Sequence, residues 1–207
     1  MSFSFDNLSS LHLDILKEIG TIGAGNAATS LSKMLDRRID MNVPEVKIAE
    51  FKDVEDIMGG AETPVVGIYL EFSGDICGTV LLVLDVISAK HITALLLGNA
   101  CSDGLKRDFS EIEISALEEL GNILTAAYLG AISSFTGLTI KPSVPYFACD
   151  MLGAILSVPM IKFGQTSDKA MFIETDLING TERFRSHFIV IPDMESFPLI
   201  LKALGVV

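Results

Sequence analysis

The chain has 207 residues, of which 49% are hydrophobic, which is enough for one large domain or two small ones with an ample core. Its formal net charge of −12 argues against nucleic acids and anionic membrane surfaces as partners, and leaves proteins and cations. No apolar run reaches the roughly 18 residues that a membrane helix needs. No secretory signal is recognisable, and the three widely spaced cysteines are typical of a reduced, cytoplasmic protein.

Hydrophobic periodicity and turn residues predict one order of elements twice: helix, strand, helix, strand, strand, helix. The first half is predicted to have a long helix capped near Ser10, an extended segment at 38–51, a short helix at 54–58, strands at 65–72 and 76–84, and a helix at 88–98. The second half is predicted to have a long helix capped near Ser110, an extended segment at 138–148, a short helix at 151–158, strands at 171–177 and 183–191, and a helix at 196–205.

The sequence itself repeats, and such repeats define architecture. Residues 14–50 align without gaps with residues 115–151 at a constant offset of 101. Several aligned pairs are identical: Leu16 and Leu117, Glu18 and Glu119, Gly20 and Gly121, Pro44 and Pro145. We therefore expect a mixed α/β (α+β) fold, a single domain of two pseudosymmetric halves at about 1–103 and 104–207, with long helices packed on a mostly antiparallel sheet.

A polar stripe runs along the second long helix. Ser115, Glu119 and Asn122 stand at i, i+4 and i+7, so they share one helix face. Such a trio is most often a solvated face. In this chain, however, Asp14 and Glu18 occupy the matching places in the first half, and a proline follows each stripe at the same distance. Solvation does not require that proline, so the pattern predicts a shaped surface beside the helix.

This pattern, Asp or Ser followed by Glu, Asn and a proline 23 positions later, resembles the signature of the CheC, CheX and FliY phosphatases. Residues 16–28, LKEIGTIGAGNAA, are also similar to the first helix of CheC. The likeness extends over essentially the whole chain, including its length and duplicated architecture. It implies a phosphatase that acts on the phosphoaspartate of a CheY-like response regulator in chemotaxis.

The resemblance also implies a role for each residue of the second stripe. Asn122 would orient the attacking water, Glu119 would pair with a lysine of the regulator, and Ser115 and Pro145 would shape the site. Hydrolysis then depends on holding a water in line with the P–O bond. We expect no cofactor or metal site in this chain, because the regulator supplies its own Mg²⁺.

The first stripe departs from the family pattern. Its motif consists of Asp14, Glu18, Thr21 and Pro44, so a threonine stands where the pattern has asparagine. A threonine hydroxyl can hold a water, but it is shorter than an amide and lacks the paired donor and acceptor. We expect this first site to be weak, or to serve only as a docking surface.

A second resemblance concerns regulation. Residues 145–151, PYFACDM, are similar to the region with which CheC proteins present an acidic residue to the receptor deamidase CheD, which makes Asp150 a candidate contact. The residues alone fit an aspartate that caps the short helix after it equally well. Both interpretations stay open at this point.

Parts of the sequence fit two other functions. Residues 23–28, GAGNAA, fit the G-x-G-x-x-A dinucleotide fingerprint, but that fingerprint needs a strand before it, and helical periodicity precedes it here. The resemblance also leaves a non-catalytic alternative, either an assembly module like the flagellar-switch protein FliM or a CheD-binding adaptor. The three histidines are isolated from one another, which argues against a metal site.

Overall fold

The computed structural model describes residues 10–98, 108–163, 169–193 and 195–205. Its elements follow the predicted order in both halves. The first half contains α1 (Ser10–Leu35), β1 (Asp40–Glu50), α2 (Phe51–Ile57), β2 (Pro64–Gly74), β3 (Gly78–Asp85) and α3 (Val86–Leu97). The second contains α4 (Glu111–Thr136), β4 (Ile140–Pro142), β5 (Tyr146–Met151), α5 (Leu152–Phe163), β6 (Lys169–Asn179), β7 (Glu182–Pro192) and α6 (Ser196–Ala203).

Local chemistry accounts for several of these boundaries. Helix α4 begins at a capping box, in which the Glu113 carboxylate accepts hydrogen bonds from both the backbone N–H and the hydroxyl of Ser110, each at 2.8 Å. It ends at Gly137, whose φ of 71° lies in the left-handed region that glycine tolerates. The β6–β7 hairpin turns at Gly180 with a φ of 62°. The Ser110 cap and this hairpin were both predicted from the sequence.

The strands of the described residues form one sheet with the order β1-β6-β7-β3-β2-β4, and β5 also pairs with β2. Every pairing is antiparallel. The halves are interleaved, because β1 pairs with β6 while β4 and β5 pair with β2. The counterparts in the two halves are β1 with β4 and β5, β2 with β6, and β3 with β7. Exchanging every strand for its counterpart gives the same order, read from the opposite edge of the sheet. This supports the predicted pseudo-twofold duplication.

Helices cover both faces of the sheet. On one face α1, α3, α4 and α6 bury the larger core cluster, together with β2 residues such as Ile68 and Leu70. On the other face α2 and α5 cover a smaller cluster around Phe172 and Leu156. The mixed fold with long helices on an antiparallel sheet is therefore confirmed. The stripes of α1 and α4 lie above the first face.

Two predicted boundaries differ from the structure, and a third lies outside the described residues. The extended segment 138–148 is two strands, β4 and β5, because a proline in their gap has no N–H to donate to the ladder. The short helix predicted at 151–158 runs from Leu152 to Phe163 with Pro159 inside it. The division at about 103 and 104 lies outside the described residues, so the two halves with that boundary stay a prediction.

Candidate active site

The predicted stripe of α4 faces outward. Ser115 and Glu119 are exposed and Asn122 is half-buried. The opposite side of the helix carries Leu117 and Leu120, which are fully buried in the core. Burial of the leucines fixes the rotation of α4 about its axis, so the three polar side chains point to the surface together, as the spacing predicted.

Gly121, the residue before Asn122, sets how closely α4 approaches the sheet. A Cβ at this position would lie 2.6 Å from Cγ2 and 3.3 Å from Cβ of Ile68, a residue that is 0% exposed. In the first half the aligned Gly20 sits against Val46 of β1, where a Cβ would be 3.2 Å from Cγ2. The shared glycine of the repeat therefore allows close contact between helix and sheet beside each stripe.

We expect Gly121→Ala to lower the free energy of unfolding by about 1–3 kcal/mol through overpacking against Ile68, although alanine favours the helix. The matched control is Gly130→Ala in the same helix, where a Cβ meets nothing within 4 Å. That variant should gain about 0.5–1 kcal/mol. Urea unfolding monitored by circular dichroism measures both. Equal stabilisation by the two variants would mean that α4 does not approach β2 this closely.

Glu119 and Asn122 have the greatest hydrogen-bonding capacity in the stripe, and neither side chain is engaged by a described residue. Within the part of the chain that the structure describes, neither the Glu119 carboxylate nor the Asn122 amide has a hydrogen bond or an ion pair. A carboxylate can accept from a cationic donor, and an amide can accept from and donate to the same water. The stripe thus presents an anion and a bifunctional water ligand about one helical turn apart.

The first stripe has a similar layout but a different third residue. Asp14, Glu18 and Thr21 are all exposed on α1. The Thr21 hydroxyl donates its proton to the backbone oxygen of Lys17 at 2.9 Å, one turn earlier in the same helix. With that proton engaged, Thr21 can offer a water only its lone pairs. This contact gives a structural reason for the weakness that the sequence predicted for the first site.

The two prolines lie in irregular stretches of the edge strands. Pro44 falls within the register shift of β1 between Asn42 and Glu45. Pro145 is half-buried in the gap between β4 and β5, where the Ser143 N–H donates to the β2 backbone at 2.7 Å. Helix α1 contacts β1, and α4 contacts β4 and β5. Pro44 thus lies on a strand that contacts α1, and Pro145 lies between two strands that contact α4. The site-shaping roles of Ser115 and Pro145 stay predictions.

Asp150 lies on the edge strand β5 and is exposed. Its Oδ1 accepts a hydrogen bond from the N–H of Met151 at 2.7 Å, immediately before α5 begins. The contact resembles local capping. Neither the capping interpretation nor the CheD interpretation is decided by it.

Sequence reasoning missed a buried ion pair that holds the start of α4. Lys90 of α3 is 4% exposed, and its Nζ lies 3.7 Å from Oε2 of Glu113. The same Nζ donates to the backbone oxygen of Asp108 at 3.2 Å and lies 3.8 Å from the ring centroid of Phe109. The S-x-x-E spacing could have identified the Glu113 part of this arrangement. Nothing in the apolar helix around Lys90 signals its partner.

Two groups of the core and the sheet, Tyr128 and His187, have displaced pKa values. Burial raises the pKa of Tyr128 to about 12, which its hydrogen bond to Thr175 partly offsets. Burial and the nearby Arg185 lower the pKa of His187 to about 4, so its imidazole is neutral at physiological pH. Neither group lies on a stripe, and we assign neither a chemical role.

Other kinds of site have little support. Among the described residues no group of three or more metal-ligating side chains comes together, and no described helix is long and apolar enough to cross a membrane. Residues 23–28, which fit the dinucleotide fingerprint, lie in the interior of α1, in the helical context that the sequence predicted. Gly23 serves packing there, because a Cβ would lie 2.5 Å from the Tyr128 ring of α4.

Known proteins match this chain along nearly its whole length. The family model for the CheC-like family matches residues 11–48 and 112–148, which overlap the two copies of the repeat. The CheY-P phosphatase CheC of Bacillus subtilis (strain 168) is 34% identical over 203 residues, which cover 97% of each chain.

Solved structures share the fold. The crystal structure of Thermotoga maritima FliY matches with a TM-score of 0.76 at 23% identity, over 96% of this chain and 98% of that one. The CheX–CheY–BeF3–Mg²⁺ complex of Borrelia burgdorferi matches with a TM-score of 0.51 at 16% identity, over 83% and 96% of the two chains.

The chain therefore belongs to the CheC-like family, as its stripe and repeat predicted. The predicted class of enzyme, a phosphatase, is confirmed with it.

Proposed function

We propose that this chain hydrolyses the phosphoaspartate of a CheY-like response regulator in chemotaxis, with its principal active site on α4. The observation that carries the proposal is the outward-facing pair of Glu119 and Asn122, whose groups are unengaged within the described residues. The name of the 34% identical relative, a CheY-P phosphatase, indicates the substrate.

The proposed chemistry follows from the two side chains. The Asn122 amide accepts a hydrogen bond from a water and orients its oxygen toward phosphorus, in line with the bond to the regulator's aspartate. The water oxygen bonds to phosphorus, the P–O bond to aspartate breaks, and the aspartate leaves as a carboxylate, while both protons of the water remain with the product, dihydrogen phosphate. Glu119 pairs with a lysine of the regulator and so fixes α4 over the acyl phosphate. The regulator brings the Mg²⁺ that neutralises the phosphoryl oxygens.

The test is the decay of phosphorylated CheY with this protein present at one-tenth of its concentration. A catalyst shortens the half-life of the whole CheY population, because each molecule turns over repeatedly. An assembly module of the flagellar-switch type, or an adaptor that binds only CheD, leaves the half-life unchanged. The latter result would contradict the proposal.

The first site is proposed to be degenerate, and a gain-of-function variant tests this. In an Asn122→Ala background, Thr21→Asn should raise the rate of dephosphorylation about tenfold, since it supplies the missing amide beside Glu18. Thr21→Val in the same background is the matched control, because it keeps the shape of threonine but brings no amide. Equal rates for the two variants would show that α1 lacks more than the asparagine.

We also propose that the β5 edge binds CheD, with Asp150 as the acidic contact. The strand lies at the edge of the sheet, and Asp150 is exposed there beside the half-exposed side chain of Met151. Titration with CheD, followed by calorimetry, tests this. Asp150→Asn should weaken binding if the charge is recognised, whereas Asp75→Asn, at the exposed β2–β3 turn, should not. Unchanged affinity for Asp150→Asn would leave Asp150 as a cap only.

A further inference from the structure

One exposed apolar residue continues the polar stripe of α4. Ile112 is 64% exposed in the first turn of the helix. It precedes Ser115, Glu119 and Asn122 by 3, 7 and 10 positions, so the four residues fall within an arc of about 80° around the helix. A line of side chains that begins with isoleucine thus leads to the proposed catalytic pair.

The position recurs in the first half. Leu11 stands at the aligned place on α1, three positions before Asp14, and it is 59% exposed. Scattered exposed apolar residues are ordinary on protein surfaces. A large aliphatic side chain that points outward at the same place in both copies, in line with both stripes, is not explained by core packing. Covering such a residue with another molecule removes its apolar surface from water, which is stabilising.

We infer that Ile112 is a docking contact for the phosphorylated receiver domain, an inference that rests on the proposed function. The distance supports this occupant. Ile112 lies about 10 Å along the helix axis from Glu119 and about 15 Å from Asn122. A standard interface buries roughly 800 Å² on each partner, equivalent to a radius of about 16 Å, so a footprint centred near the catalytic pair reaches Ile112. Ile112 lies outside the reacting atoms and affects affinity without affecting the chemical step.

The residues of this helix face therefore have separate roles. Glu119 and Asn122 act at the phosphoryl group, and Ile112 supplies an apolar contact at the rim of the same footprint. Removing that contact should weaken binding of the substrate and of the transition state equally, which raises KM and leaves kcat unchanged.

The experiment compares Ile112→Ser with Ile161→Ser. Ile161 is 79% exposed on α5, which covers the opposite face of the sheet, so it controls for the loss of an exposed isoleucine. For Ile112→Ser we expect KM for phosphorylated CheY to rise about tenfold, equivalent to about 1.4 kcal/mol, with kcat within twofold of the wild type. Ile112→Leu should retain the wild-type KM, and Ile161→Ser should leave both constants unchanged.

A binding measurement separates this inference from the proposed function. CheY loaded with beryllofluoride and Mg²⁺ does not turn over, so its Kd reports docking alone. Ile112→Ser should raise this Kd about tenfold, including in an Asn122→Ala background that cannot catalyse. An unchanged Kd would overturn the docking role even if the protein is an active phosphatase. Sedimentation at working concentration tests a second copy as the occupant: loss of a wild-type dimer in Ile112→Ser would also overturn it.

Discussion

Replacing Asn122 with alanine is expected to slow dephosphorylation of CheY about a hundredfold. Removing a single group that positions or stabilises a transition state typically has this effect, equivalent to about 2.7 kcal/mol. The Asn122 amide is half-buried beside the exposed Glu119 and has no partner among the described residues, so its loss should leave the fold intact. Steady-state kinetics with phosphorylated CheY measure the effect, which should fall on kcat.

The control for this prediction is Thr21→Ala in the first stripe. Because the Thr21 hydroxyl already donates to Lys17 within α1, its removal should change turnover less than twofold. If Thr21→Ala impaired turnover as strongly as Asn122→Ala, the two sites would contribute equally, and the first would not be degenerate. If Asn122→Ala retained most of its activity, the site on α4 would not be the principal one.

The second large effect concerns stability. Lys90→Met should lower the free energy of unfolding by about 3 kcal/mol, because it removes a buried cation that lies 3.7 Å from the Glu113 carboxylate and donates to the backbone oxygen of Asp108. Adding Glu113→Gln should recover part of this loss, since the neutral amide can still accept from Ser110 and is less costly to bury than a carboxylate. Urea unfolding of the two single variants and the double variant gives the coupling energy between the residues.

A surface pair provides the contrast. Arg38 and Asp40 approach to 2.9 Å, closer than Lys90 and Glu113, but their side chains are 86% and 53% exposed. Arg38→Met should therefore cost less than about 1 kcal/mol. If Lys90→Met and Arg38→Met lowered the free energy of unfolding by the same small amount, burial would not explain the contribution of the Lys90–Glu113 pair. Additive losses in the double variant would likewise contradict the proposed coupling.

The sequence was most informative where residue spacing and local chemistry decide structure. The outward stripe of Ser115, Glu119 and Asn122 followed from helical periodicity. The sequence also indicated Ser110 as the cap of α4, and in the structure Glu113 completes the capping box. The Gly180 hairpin followed from turn chemistry. These features depend on residues within a few positions of one another, so a single sequence contains them.

The sequence did not predict which distant strands and side chains pair with each other. The repeat predicts two copies, but it fits equally well with each half forming its own sheet. The exchange of β1 and β5 between the halves depends on which edges meet in space. The Lys90–Glu113 pair spans α3 and α4 for the same reason. The hydrogen bond of Thr21 to Lys17 depends on a rotamer, which no sequence pattern fixes. The cytoplasmic location and the cofactor assignment stay predictions.

A structure of this protein with CheY, beryllofluoride and Mg²⁺ tests the account most directly. The quantity to measure is the distance from the Asn122 amide to the beryllium atom. The account predicts one intervening water, a separation of about 5–6 Å, with Glu119 paired to a CheY lysine and Ile112 covered. Beryllofluoride placed over the stripe of α1, or CheY bound at the β5 edge with Asn122 facing solvent, would contradict it.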